Sequence, residues 1–254
     1  MLDLVFGFVA LVAIFGGGLL GLLLGLMLPG RHLDESTHKV VQIATGTISI
    51  MAALVLSLMI AQARNTFSSR ERQVEQLATD LIVLHRELVR YGPDARDARE
   101  LVRQYTALKM KLTWVGNNRG TLLDSPDALR LLEAVQDRLT SLQPQTSAQR
   151  VILTSALQIS NQLIETRWEL AVEHKYEIPR PFLYALVFWL SVVFISFGLF
   201  APPNVVTVSS LFVCALCLSL AILLVIDLDE PFGGIGITFI SPEPMQRALA
   251  DMGG

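Results

Sequence analysis

Charge is missing from this chain in long blocks. The stretches 4–28, 40–63, 182–201 and 204–226 contain no Asp, Glu, Lys or Arg, and each exceeds or matches the ~20 helical residues needed to cross a hydrocarbon core of ~30 Å. With 17% charged residues and a mean hydropathy of +0.50, the composition excludes an ordinary soluble domain. The lack of ionisable groups at membrane depth disfavours proton relays, coupled pumps and voltage sensors, which need buried Asp, Glu, His or Arg. A net charge of -3 gives no case for nucleic acid. Cysteine is scarce too. Cys214 and Cys217 fall in one apolar stretch three residues apart, a helical spacing too wide for a disulfide, so they read as small packing residues. No HExxH, Walker loop or nucleophile elbow occurs, and His32, His38, His85 and His174 are scattered. No catalytic site is expected.

What is present specifies an all-α integral membrane protein. Four transmembrane helices are expected, with a helical cytoplasmic domain inserted between the second and third. The boundaries are 1–63 for the first two spans, 64–181 for the inserted domain, 182–226 for the last two spans and 227–254 for a cytoplasmic tail. Asp3 with no preceding Lys or Arg, and the length of the first stretch, argue for a retained helix rather than a leader. Orientation follows from the basic residues beside the spans. Arg64, Arg70, Arg72, Arg167, Lys175, Arg180 and Arg247 lie on one side against Arg31 and Lys39 on the other, so both termini and the middle segment are expected to be cytoplasmic.

Helical spacing runs through the middle segment. Leu77, Leu81, Leu84 and Leu88 alternate three and four apart, as in a coiled-coil seam open to a subunit or partner, up to Tyr91-Gly92-Pro93. A second helix is expected over 94–115. A third opens at Ser125-Pro126 and stops before Pro144, and a fourth runs from Ser147 to Pro179. The first and fourth are expected to continue the second and third spans. Glu165, Glu169, Glu173 and Glu177 form a four-apart row around His174, read as a solvated face.

Within the spans, Gly17, Gly21 and Gly25 form overlapping GxxxG steps suited to close helix packing, with the second span as the expected partner. On the second span, Thr45, Ser49, Ala52, Leu56 and Met59 or Ile60 share a stripe that begins polar and ends bulky and apolar. In a ring of subunits such a stripe would line a pore with a wettable mouth and a hydrophobic constriction. Asp227, Asp229 and Glu230 close the fourth span, where a helix C-terminus disfavours carboxylates. They are expected to anchor the tail against basic residues. A calcium site is the alternative, though this cluster supplies too few oxygens alone, and no metal site is assigned.

Three blocks carry a resemblance: LPGRHLDESTHKVVQIATGTISIMAALVLSLMIAQARNTF at 28–67, QLATDLIVLHRELVRYGPDARDARE at 76–100, and IDLDEPFGG at 226–234 followed by SPEPMQRAL. In that order they resemble the bacterial bestrophin-like membrane proteins, a family of uncharacterised function. The resemblance extends distantly to bestrophins proper, which implies a homo-oligomer, a pentamer in that family, passing inorganic ions along an axis lined by the second helix. It also implies a multi-pass protein of the bacterial inner membrane. Two departures stand out. No acidic run follows Gly233 and Gly234, where bestrophins carry a calcium clasp, and the second span lacks the bulky aromatics of a bestrophin neck. An oligomeric ion channel is therefore the expected function. The alternative is a non-conducting scaffold or sensor that binds a partner through its cytoplasmic helices.

Overall fold

The computed structural model describes residues 2–28, 35–115, 125–173, 180–229 and 238–253, and every regular element among them is helical. In chain order these are α1 (Leu2–Met27), α2 (Glu35–Tyr91), α3 (Arg96–Met110), α4 (Pro126–Ser141), α5 (Ser147–Glu173), α6 (Arg180–Phe200), α7 (Val205–Asp229) and α8 (Glu243–Met252). A 3₁₀ turn at Pro93–Ala95 precedes α3, and a wider π turn at Lys111–Val115 follows it. Four helices, α1, α2, α6 and α7, are long and apolar enough to cross a membrane. The second of them runs without a break for 57 residues, so the leucine seam and the second apolar stretch share one helix. Whether α5 continues into α6 concerns residues 174–179, which lie outside the described ones.

The chain divides into two compact units. Unit 1 holds 1–66, 178–229 and 234–238; unit 2 holds 67–177, 230–233 and 239–254. In unit 1, α1 packs chiefly on α6 and then on α7. The glycine ridge makes this possible, and its partner is α6 rather than the second span. A Cβ on Gly17 would stand 2.9 Å from the Ser191 carbonyl oxygen, one on Gly25 would stand 2.5 Å from that of Leu199, and one on Gly21 would collide with the Ile195 carbonyl. Contact is reciprocal, since a Cβ on Gly198 of α6 would strike the Gly18 carbonyl. Two backbones thus meet with no side chain between them. Because lipid tails are as apolar as leucine, this close van der Waals fit, more than burial, holds such helices together.

Unit 2 has a core of the water-soluble kind. Leu77, Leu81, Leu84 and Leu88 are at most 3% exposed, packed in one cluster with Val102, Tyr105, Leu132, Val135 and Leu139. The seam therefore closes on its own unit and offers no free subunit or partner surface. Gly92, at φ 117°, takes the left-handed turn that ends α2 and lets Pro93 start the next element. At α5 the cap is Thr146 and not Ser147. Its hydroxyl accepts from the Gln149 amide at 3.1 Å, while the Gln149 side-chain oxygen accepts from the Thr146 amide at 3.2 Å, a reciprocal capping box. Ser125 precedes Pro126 in extended conformation, with no side-chain cap bond. The tail contributes a helix that the sequence reading does not anticipate. Met245, Ala248 and Met252 of α8 are buried in the unit 2 core, Arg86 forks onto Asp251 at 3.1 and 2.8 Å, and the Trp114 indole donates to the Ile240 carbonyl at 2.8 Å.

The α1–α6 contact makes a sharp prediction. Gly21→Leu should lower stability by about 1–3 kcal/mol through forced separation of the two backbones, read as a drop in the melting temperature of detergent-solubilised protein. Gly16→Ala, where a Cβ meets nothing within 4 Å, should leave the melt unchanged. Equal melts for both variants would remove the ridge as a tight contact.

Candidate functional site: the open face of α2

Of the four apolar helices, α2 is the least covered by its own chain. Its most apolar window is 17% buried against 33% in each of the other three. Between Val40 and Ala63 it carries no charge, and two of its hydroxyls are satisfied within the helix. The Thr47 hydroxyl donates to the Ile43 carbonyl at 3.1 Å and the Ser49 hydroxyl to the Thr45 carbonyl at 2.8 Å, the arrangement that lets Ser and Thr sit in an apolar medium.

Two faces of this helix differ in cover. Thr45, Ala52, Met59 and Ala63 are buried, with Ser49, Leu56 and Ile60 half-buried beside them. Ala52, Met59 and Ala63 belong to the unit 1 core, against which Leu56 and Ile60 pack. Thr45 borders a cavity of about 260 Å3 shared with Ser196, Phe197 and Phe200 of α6. This is the stripe expected to line a pore. Its buried members pack against the other helices of their own chain in unit 1. The opposite face is open, with Ile43 at 72%, Ile50 at 65%, Leu54 at 61% and Leu58 at 69% exposure. Gly46, Thr47, Ser57 and Ala61 lie exposed on the same side.

At the end of α7, Asp227 is fully buried. One of its carboxylate oxygens accepts both the backbone amide and the hydroxyl of Thr238, each at 2.7 Å. Asp229 is buried as well. Glu230 lies outside the described residues. Thr238 is a tail residue held here by Asp227. Among the described residues no group of three His, Cys, Asp or Glu side chains is arranged to hold a metal ion. Glu165 and Glu169 are exposed on α5. Cys214 and Cys217 are free and exposed on α7.

A bestrophin-like domain model matches residues 12–245, nearly the whole chain. The chain belongs to the bestrophin-like family. No curated protein matches it, but solved structures do. A variant of a bacterial bestrophin homologue from Klebsiella pneumoniae superposes with a TM-score of 0.65 at 14% identity, over 95% of this chain and 99% of that one. A second variant from the same organism gives 0.64 at 16% identity, over 94% and 96%. A structure described as a membrane protein variant gives 0.68 at 11% identity, over 94% and 97%. These likenesses establish the bestrophin fold for the chain.

For this bestrophin-like chain, the Asp227 tether is open to a direct check. Thr238→Val should cost about 1.5–3 kcal/mol, the value of a hydrogen bond to a charged acceptor left buried, read by thermal melting. A neutral result would mean that the 2.7 Å bond from the hydroxyl does not hold the tail.

Proposed function

We propose that the protein is an ion channel assembled from several copies of this chain, with the open face of α2 toward the common axis. The observation that carries this reading is the low cover of α2 in a member of the bestrophin-like family. A single chain with four spans encloses no pore, so the face left bare must be completed by neighbours. On that face Thr47, Ser57 and Ala61 alternate with Ile50, Leu54 and Leu58. Small or hydroxylated positions admit water, and a ring of branched side chains makes a constriction that opens by wetting. The likeness to bacterial bestrophin homologues supports the same assembly, and a pentamer is the subunit number we propose by that likeness.

The membrane arrangement belongs to the same proposal. Residues 64–181 form a cytoplasmic helical domain between the second and third spans, and both termini are cytoplasmic, as the excess of Arg and Lys beside those segments supports. The membrane is the bacterial inner membrane. Permeation needs no catalytic step and no resident metal. Asp227 already spends one carboxylate oxygen on Thr238, so calcium addition should leave the melting temperature of the wild type unchanged. A calcium-induced rise that Asp229→Asn removes would assign a cation to that cluster instead. The scaffold alternative loses the support of the leucine seam, which is buried in its own unit.

Flux of ions into liposomes tests the reading. Leu54→Ser should raise basal flux and leave the melt nearly unchanged, because the residue is open in the protomer. Leu56→Ala, on the packed face, should cost about 1–3 kcal/mol of stability and leave flux per folded channel as it was. A monomer by mass, or wild-type protein that passes no ions, would remove the channel; flux altered by Leu56→Ala and not by Leu54→Ser would return the pore to the other face.

A further inference from the structure

Unit 2 contains an open cavity of about 1210 Å3 bounded by α2, α3 and the end of α8. Helical spacing builds its walls. Arg86 and Arg90, four apart on α2, stand beside His85, and Arg96, Arg99 and Arg103 follow one another at three and four residues along α3. Three carboxylates also line it, Asp97, Glu100 and Asp251, which leaves the guanidinium groups in excess.

The ion pairs identify which charges remain. Arg86 takes Asp251 in a two-pronged contact, and Arg103 takes Glu100 at 3.1 and 3.2 Å. Asp97 is engaged by Arg138 at 3.2 Å, and Arg90 by Glu87 at 3.4 Å. Among the described residues no carboxylate pairs with Arg96 or Arg99, and the Nε of Arg99 is buried without an acceptor. His85 experiences the same surroundings. Burial first, and the Arg99 charge second, hold its imidazole below the usual histidine range, with Asp251 opposing them. Two guanidinium groups in a walled cavity, one with a desolvated N–H, call for an anion with several acceptor oxygens.

We propose that this cavity binds a nucleoside polyphosphate, with Arg96 and Arg99 on the phosphates. The planar fork of arginine matches phosphate oxygens in two-pronged contacts. One inorganic phosphate would fill only a small part of the space, whereas small-molecule sites of ~300–1,000 Å3 accommodate ligands of nucleotide size. Val89 and Met252 supply the apolar wall for a base. A phosphate could also arrive on a lipid headgroup, but acyl chains need a long apolar trough, and arginines, histidine and carboxylates make up most of this lining.

Calorimetric titration of the full detergent-solubilised chain decides the matter, with ATP, pyrophosphate, sulfate and short-chain phosphatidylglycerol as probes. ATP should bind, more weakly as salt rises, and pyrophosphate should compete with it. Arg99→Gln should weaken ATP by roughly tenfold or more, and Arg99→Lys by less. Arg96 is exposed, so Arg96→Gln gives a second variant should the first fail to fold. Arg130→Gln, on an exposed pair with Asp127 outside the cavity, should bind as the wild type does. No heat from ATP or pyrophosphate, or unaltered binding in both cavity variants, would overturn the site. Equal competition by sulfate would reduce it to a general anion patch, and tighter binding of phosphatidylglycerol would make it a headgroup site; each rejects the nucleotide. Variants that change the oligomer's mass while the wild type ignores ATP would make this face a contact between copies.

Discussion

Backbone contact between α1 and α6 is the constraint on which the arrangement of unit 1 depends. Gly17, Gly21 and Gly25 leave α1 without side chains along one ridge, and Gly198 does the same for α6, so carbonyl oxygens fill the space that Cβ atoms would occupy. With α1 committed to α6, and next to α7, the remaining apolar helix is left with one covered face. The covered residues of α2 are small where cover is deepest, Ala52 and Ala63 being at most 1% exposed. Ile43, Ile50, Leu54 and Leu58 lie outward by default. The open face thus follows from where the glycines are.

Spacing alone located the helices because an apolar stretch of sufficient length without charge has few other ways to satisfy its backbone. It could not say which face of α2 turns inward. In a bilayer the outside is as apolar as the inside, so the contrast that marks the buried face of a soluble helix is absent. Polarity at Thr45 and Ser49 suggests a wet mouth, but the Ser49 hydroxyl also donates within its own helix, so polarity there does not by itself mark a face. The sequence carries a better signal. Ser49, Leu56, Ala63, Arg70, Leu77 and Leu84 recur every seven residues, and all but the half-buried Ser49 and Leu56 are buried. Extending the leucine seam backward would have marked the stripe as packing and the opposite face as open.

Other misses have local causes. The α8 helix is short, and its pattern of Met245, Ala248 and Met252 was hidden by the expectation of a plain tail. Pro242 before its first residue, Glu243 in its first turn and Gly253 after its end were available start and stop signals. The Thr238 tether to Asp227 spans eleven positions of chain, with no periodicity to announce it. Carboxylates at a helix C-terminus announce only a need for donors, and a backbone amide with a hydroxyl answers part of that need at Asp227.

One helix meets two different solvents in α2. Toward Leu77–Leu88 its inward residues are leucines, because water drives burial and large apolar side chains gain most from it. Toward Thr45–Ala63 they are Thr, Ala and Met, because in lipid burial gains little and small side chains permit close approach. The inward face of one continuous helix therefore carries different residue sizes on the two segments. The pore face proposed for α2 would obey a third rule, since it must accept water at some positions and refuse it at others. Thr47, Ser57 and Ala61 interleaved with Ile50, Leu54 and Leu58 meet that rule, whereas a face of uniform leucine would serve lipid alone.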